Sequence, residues 1–221
     1  MKNKSFKIAP SILAADLLNL EKEVMQAQKF GAYRISVDVM DGNFVPDITF
    51  GPNLVSQLKK ILDIDIEVHL MVNNPESKIN SFNQAGADVL TFHYESVNDS
   101  IEKTITEIKN LNCRVGLAIN PDTEVNEIQK YLPDLDEVTV MTVVPGKGGQ
   151  KLIQSCLLKV EKLVEIRTKL NLNYLIQIDG GVKKENIQSV IKSGADIAVA
   201  GTSVFNNESV EYNMKSLLNS L

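Results

Sequence analysis

Val138-Thr139-Val140-Met141-Thr142-Val143-Val144 runs without a single charged side chain. A strand with one wet face alternates apolar and polar residues. A stretch that is apolar almost throughout and rich in β-branched residues is instead the pattern of a parallel strand covered on both faces. Segments of this kind recur along the chain: Phe6–Leu13, Arg34–Asp41, Ile66–Val72, Asp88–Glu95, Arg114–Asn120, Glu137–Val144, Tyr174–Gly180 and Ile197–Phe205. The stretches between them have a helical period. Leu17–Phe30 places Leu17, Leu20, Val24, Ala27 and Phe30 near helical spacing, and Ser100–Leu111 and Leu152–Leu170 read the same way. Asp16 and Asn98 are candidate N-caps, and Gly86 and Gly194 stand where a glycine is expected just past a helix. Eight strand–helix units with no break in composition predict an α/β fold, a single (β/α)8 TIM barrel forming one domain over residues 1–221. The competing open, doubly wound sheet would more often carry GxGxxG after its first strand, and no such motif follows the first strand here.

The 221 residues are 43% apolar and 23% charged, with a formal charge of −5. That composition is ordinary for a globular protein and unlike that of a disordered, collagenous or disulfide-stapled chain. A mildly acidic chain without a block of Lys or Arg is a poor nucleic-acid binder, because such binding needs many phosphate contacts. No apolar run approaches the roughly 20 residues of a membrane span, and the polar, basic start Met1–Lys7 does not read as a signal peptide. Cys113 and Cys156 read as reduced packing residues. The expectation is a soluble, cytoplasmic protein with no nucleic-acid or membrane partner.

In such a barrel the chemistry sits at the C-terminal ends of the strands and in the loops after them. The polar residues sort onto those ends: Ser11, then Ser36, Asp38 and Asp41, then His69 and Met71, then His93 and Glu95, then Asn120, Met141, Asp179 and Gly201-Thr202-Ser203. Asp38 and Asp179 stand out because each lies among apolar neighbours. Carboxylates on strands 2 and 7 can face each other across the barrel mouth, where one takes a proton from a substrate carbon and the other returns it on the opposite face. His69 shares a strand face with Glu67 and Met71. With the two Asp residues it makes a candidate site for a divalent Zn, Mn or Fe ion, the alternative being a hydrogen-bonded core histidine. Pro145-Gly146-Lys147-Gly148-Gly149-Gln150, Asp179-Gly180-Gly181 and Gly201-Thr202-Ser203 put glycine-rich turns after three successive strands. Backbone N–H groups in such turns suit a phosphate.

Ile8-Ala9-Pro10-Ser11-Ile12-Leu13-Ala14-Ala15-Asp16, Val37-Asp38-Val39-Met40-Asp41-Gly42-Asn43-Phe44-Val45-Pro46, Val68-His69-Leu70-Met71-Val72, Asn120-Pro121, Met141-Thr142-Val143, Gly148-Gly149-Gln150, Asp179-Gly180-Gly181-Val182 and Ala200-Gly201 together resemble the ribulose-phosphate 3-epimerase family of ribulose-phosphate-binding barrels. The resemblance runs from the first strand to the last. It implies a ketose-phosphate substrate, epimerisation at C3, and Asp38 and Asp179 as the acid/base pair. It implies a divalent metal, zinc first, held by Asp38, His69 and Asp179. Ser11 and His69 match substrate-contacting positions, Met40, Met71 and Met141 match methionines that line the site, and Gly148, Gly149, Gly180, Gly181, Gly201, Thr202 and Ser203 fall where the phosphate is bound. A homo-oligomer is expected on the same ground.

Three positions depart from the family pattern. Ser36 stands where a further metal-binding His is usual, Lys147 where an aromatic residue is usual, and Val144 where a polar residue precedes the loop proline. For the missing imidazole three substitutes are open: water on a metal still held by three side chains, His93 reaching in from the neighbouring strand, or a metal-free site with a cation such as Lys147. Three functions follow: ribulose-5-phosphate 3-epimerase, an epimerase for another ketose phosphate such as allulose 6-phosphate, or a sugar-phosphate binder without turnover.

Overall fold

The computed structural model describes residues 6–97 and 100–221. Eight parallel strands, β1 (Lys7–Pro10), β2 (Arg34–Met40), β3 (Asp65–Met71), β4 (Val89–His93), β5 (Arg114–Ile119), β6 (Glu137–Met141), β7 (Leu175–Asp179) and β8 (Ile197–Ala200), pair in the order β1-β8-β7-β6-β5-β4-β3-β2. A bridge between Ser11 and Ser36 joins the outer pair and closes the ring. Helices α1 (Leu20–Lys29), α2 (Pro52–Ile61), α3 (Ile79–Gln84), α4 (Ile101–Asn110), α5 (Val125–Ile128), α6 (Leu157–Lys169), α7 (Ile187–Ser193) and α8 (Val210–Leu218) alternate with the strands. This is the TIM barrel that the alternation predicts. No helix among the described residues is long and apolar enough to cross a membrane.

Residues of one strand point alternately to the helices and into the barrel. Val138 and Val140 of β6 are fully buried against the helical layer. Each such side chain contributes about 1.5–3 kcal/mol by leaving water. Glu137, Thr139 and Met141 point the other way. The inner face is therefore partly polar. Fully buried Arg34 donates to both carboxylate oxygens of Glu137, at 2.6 and 2.5 Å, and to Gln177 at 2.6 Å. Glu67 lies 3.1 Å from the same guanidinium and accepts from Thr91 and Gln177.

The predicted strands overrun the observed ones at their C-terminal ends. Glu137–Val144 stops at Met141 and Ile197–Phe205 at Ala200. The chain turns out of the sheet there: the Thr142 N–H and hydroxyl both donate to the Asp179 carbonyl, at 2.8 and 3.0 Å. Asp16 is not the cap of α1. That helix starts at Leu20 after Asn19, while Asp16 accepts from the Leu18 N–H and the Asn19 amide in a turn ahead of it. Leu17 is accordingly exposed. Asn98 lies outside the described residues, and α4 is capped by Ser100, whose hydroxyl accepts from the Lys103 N–H. The Leu152–Leu170 segment divides into a short 3-10 turn, Gln154–Cys156, and α6. Gly86 and Gly194 follow α3 and α7 as predicted, and Cys113 and Cys156 are buried free thiols.

Candidate functional site

Strand register builds the site. Asp38 of β2 pairs with His69 of β3, and Met141 of β6 with Asp179 of β7, so these residues share one layer at the C-terminal rim. β2 and β7 are separated only by β1 and β8. The two carboxylates lean in from either side of that arc onto one atom. Asp38 Oδ1 lies 3.1 Å and Asp179 Oδ2 3.2 Å from His69 Nδ1. The other Asp38 oxygen accepts from the Ser11 hydroxyl at 2.6 Å, which fixes that carboxylate. Serine at position 11 thus serves Asp38 directly.

Asp38 and Asp179 open into a pocket lined by Ser11, Met40, Met71 and Met141 on one side and by Gly148, Gly149, Gly180, Gly181, Gly201, Thr202 and Ser203 on the other. Every residue matched to the acid/base or substrate positions lines it except His69; Ser36, Asp41, His93, Glu95 and Asn120, also placed at strand ends, do not. His69 is 1% exposed, its Nδ1 covered by the two carboxylates. The methionines are buried, Met40 and Met71 packing with Val45. The glycine side is shaped by close approach. Gly180 has φ +116° and Gly181 φ +70°, and a Cβ on either would collide with Val143 or with the Leu152 backbone. Such φ values cost any other L-residue free energy. Lys147 is the one Lys or Arg among the described residues lining this pocket. Its loop is tied by Gln150, whose amide donates to the carbonyls of Val144 and Lys147 at 2.7 and 2.8 Å.

Burial opposes charge on His69, but the hydrogen bonds and charges of Asp179 and Asp38 outweigh it and push the imidazole up to about 10. Burial pushes Asp179 up to about 6, with the Asp38 charge adding to it and His69 opposing it. Burial takes His93 down to about 4 against the pull of Glu95.

Asp38, His69 and Asp179 form a group able to hold a metal ion, their ligand atoms all within 4.8 Å of one another. Donors each about 2.0–2.2 Å from one tetrahedral ion lie about 3.3–3.6 Å apart, a few tenths of an ångström beyond the nitrogen–oxygen separations of 3.1 and 3.2 Å here. The donor set therefore fits a divalent cation. His93 is not part of it: its Nε2 faces His69 Nε2 at 2.9 Å and its Nδ1 faces Glu95. The sequence reading placed His93 and Glu95 on this rim without linking them to His69. Ser36 is fully buried, and its hydroxyl has no hydrogen-bond partner among the described residues.

A model of the Ribulose-phosphate 3 epimerase family matches residues 7–205. The chain belongs to the ribulose-phosphate 3-epimerase family. It is 43% identical over 200 residues to the ribulose-phosphate 3-epimerase of Bacillus subtilis, covering 90% of this chain and 92% of that one. It is 40% identical to the enzyme of that name from Schizosaccharomyces pombe, over 97% of this chain and 93% of that one. Among solved structures, a 3-hexulose-6-phosphate synthase superposes with a TM-score of 0.72 at 20% identity, covering 98% of this chain and 100% of that one. Phosphoribosyl anthranilate isomerase of Thermus thermophilus does so with a TM-score of 0.69 at 12% identity, over 97% of this chain and 98% of that one. At those identities the likeness is one of fold, and this family member shares its barrel with other kinds of protein.

Proposed function

We propose that this family member interconverts D-ribulose 5-phosphate and D-xylulose 5-phosphate by two-base proton transfer at C3. The observation that carries this reading is the convergence of Asp38 and Asp179, from separate strands, at one point under a glycine-lined pocket. One carboxylate removes the C3 proton and the other delivers a proton to the opposite face, and the roles exchange for the reverse reaction. Burial raises the proton affinity of Asp179, which suits a carboxyl that must both take and give a proton near neutrality. Ser11 orients Asp38 by its hydrogen bond. The methionine wall excludes water from the reacting carbon, and the N–H groups of the glycine turns receive the phosphate.

Asp38, His69 and Asp179 would hold a divalent ion, zinc first and manganese or iron as alternatives, which supplies positive charge against the enediolate. Ser36 replaces an imidazole with a hydroxyl. Its unpartnered Oγ supports water as the substitute for that ligand. A homo-oligomer acting in the cytoplasm, on a small ketose phosphate, completes the reading, and light scattering measures the assembly.

The test is exchange of the C3 hydrogen of ribulose 5-phosphate with deuterated water, with and without added zinc or manganese. Exchange accompanied by xylulose 5-phosphate supports the assignment. Exchange with allulose 6-phosphate but not with the pentulose would move the substrate to a hexulose phosphate. No exchange with any ketose phosphate and any metal would leave a binding protein.

A further inference from the structure

Behind His69, on the side away from the pocket, runs a chain of polar groups. Glu95 lies in the short 3-10 turn Tyr94–Ser96 after β4. One of its oxygens accepts from the Asn120 N–H at 2.8 Å and from the Thr123 hydroxyl, and the other faces His93 Nδ1 at 3.3 Å. The loop that brings Asn120 and Thr123 is itself held by Lys159. Its ammonium donates to the carbonyls of Asn120, Pro121 and Thr123 at 3.2, 2.6 and 2.6 Å. Glu95 is thus a carboxylate fixed by donors from a second strand's loop.

A carboxylate only accepts, so His93 carries a proton on Nδ1. The rings of His93 and His69 are nearly parallel, 11° apart, with centroids 5.0 Å apart, yet their Nε2 atoms are 2.9 Å apart. Parallel rings whose nearest atoms are that close cannot overlap face to face, so they meet end to end with the nitrogens aimed at each other. One proton lies between them. A neutral imidazole carries one proton, and that of His93 is already on Nδ1 against Glu95. Its Nε2 is therefore the acceptor, and His69 is the ring that donates from Nε2.

We propose that Glu95 and His93 are positioning residues, which hold the His69 proton on Nε2 and so direct the Nδ1 lone pair between Asp38 and Asp179 for a divalent cation. This rests on the metal reading above and goes beyond it. It gives a purpose to three buried or tethered groups, His93, Glu95 and Lys159, that the proton transfer itself does not use. Once an ion has displaced the Nδ1 proton, the one imidazole among these donors is held in a single tautomer.

The experiment uses the full chain with zinc or manganese as the probe. Nitrogen NMR of 15N-histidine-labelled protein reads which ring nitrogens carry protons, and competition with a chromophoric chelator reads metal affinity. In the wild type His93 shows a protonated Nδ1 and a bare Nε2. In Glu95→Gln the side-chain amide can donate to His93 Nδ1, so the pattern on His93 reverses and metal affinity falls about 10–100-fold, the scale for losing an outer-shell partner. His93→Gln, whose carbonyl can still accept from His69, retains more affinity than His93→Leu. A wild-type His93 protonated on Nε2, or equal metal affinity in wild type and Glu95→Gln, overturns the positioning role while the metal reading stands. A wild-type protein that takes up neither ion overturns the metal reading, and with it the purpose assigned to the His69 lone pair, whatever the state of His93.

Discussion

Asp38 and Asp179 differ in surroundings although they share a partner. Ser11 donates to Asp38, whereas Asp179 has its proton affinity raised by burial and by the neighbouring carboxylate. Removing either base should stop net epimerisation, because each serves one face. Asp38→Asn and Asp179→Asn are each expected to lower turnover by at least about 10²-fold, and one of them can retain slow exchange of the C3 hydrogen with solvent from its surviving face. Turnover assays paired with deuterium exchange measure both, and near-normal turnover in either variant would contradict the two-base reading. His69 gives a second prediction. Burial disfavours its charge, but Asp179 and Asp38 keep it protonated up to about 10 in the metal-free protein. A cation that takes Nδ1 must displace that proton at neutral pH. Calorimetry in buffers of different ionisation heat should therefore show about one proton released per ion, and apparent affinity should rise with pH until His69 loses its proton unaided. Ser36→His restores an imidazole beside these donors, and tighter zinc binding in the same chelator competition is the expected outcome. The carboxylates and His69 were legible in the sequence because charged or ring side chains at strand ends are chemically conspicuous, whereas Ser36 stood out only against the family pattern. The direction of the His93 hydrogen bonds was not, since it depends on Glu95, Asn120 and Thr123 meeting from different loops.

At the scale of the element, strands and loops were legible to different degrees. Apolar, β-branched composition located every strand, because a strand buried on both faces must be apolar on its outer side. It did not locate their ends. Thr142, Val143 and Gly201 continue the apolar or small-residue pattern after the backbone has turned away to build the pocket. Asp16 shows the same limit at a helix start: the short polar side chain makes a turn two residues ahead as readily as a cap. The loop after β6 is where local chemistry adds most. Gln150 ties its backbone, and Lys147 stays exposed while lining the pocket with two carboxylates and the glycine turns. A dianionic phosphate held by the glycine turns would meet an ammonium there that an aromatic residue does not offer. Lys147→Gln is expected to raise KM by about fivefold, corresponding to about 1 kcal/mol for an exposed charge pair, with little change in kcat. The effect should shrink as salt is added, because exposed charges are screened. Steady-state kinetics at low and high ionic strength decide this, and a change confined to kcat would place Lys147 away from the phosphate.

Across the whole molecule, the interior of the barrel is layered. Asp38, Asp179 and His69 form the upper layer, and Arg34, Glu67, Glu137 and Gln177 form a charged layer beneath them. Strand alternation in the sequence put Glu67 on the same face as His69, but it could not reveal Arg34 and Glu137 meeting across the ring, because β2 and β6 are remote in the chain and are not neighbours in the sheet. The lower layer carries two carboxylates on one guanidinium, all fully or almost fully buried. Replacing such a cluster by apolar groups can be neutral, but removing its cation alone leaves buried charge without compensation. Arg34→Met should therefore destabilise the protein by about 3–5 kcal/mol, read from the urea midpoint. The triple variant Arg34→Met, Glu67→Leu, Glu137→Leu should recover much of that loss, since no charge then remains to be compensated. If the single substitution cost no more than a surface change and the triple variant were the less stable of the two, the guanidinium would not be the group that holds this layer together, and the floor on which Asp38 and His69 are mounted would have to owe its rigidity to the surrounding apolar shell.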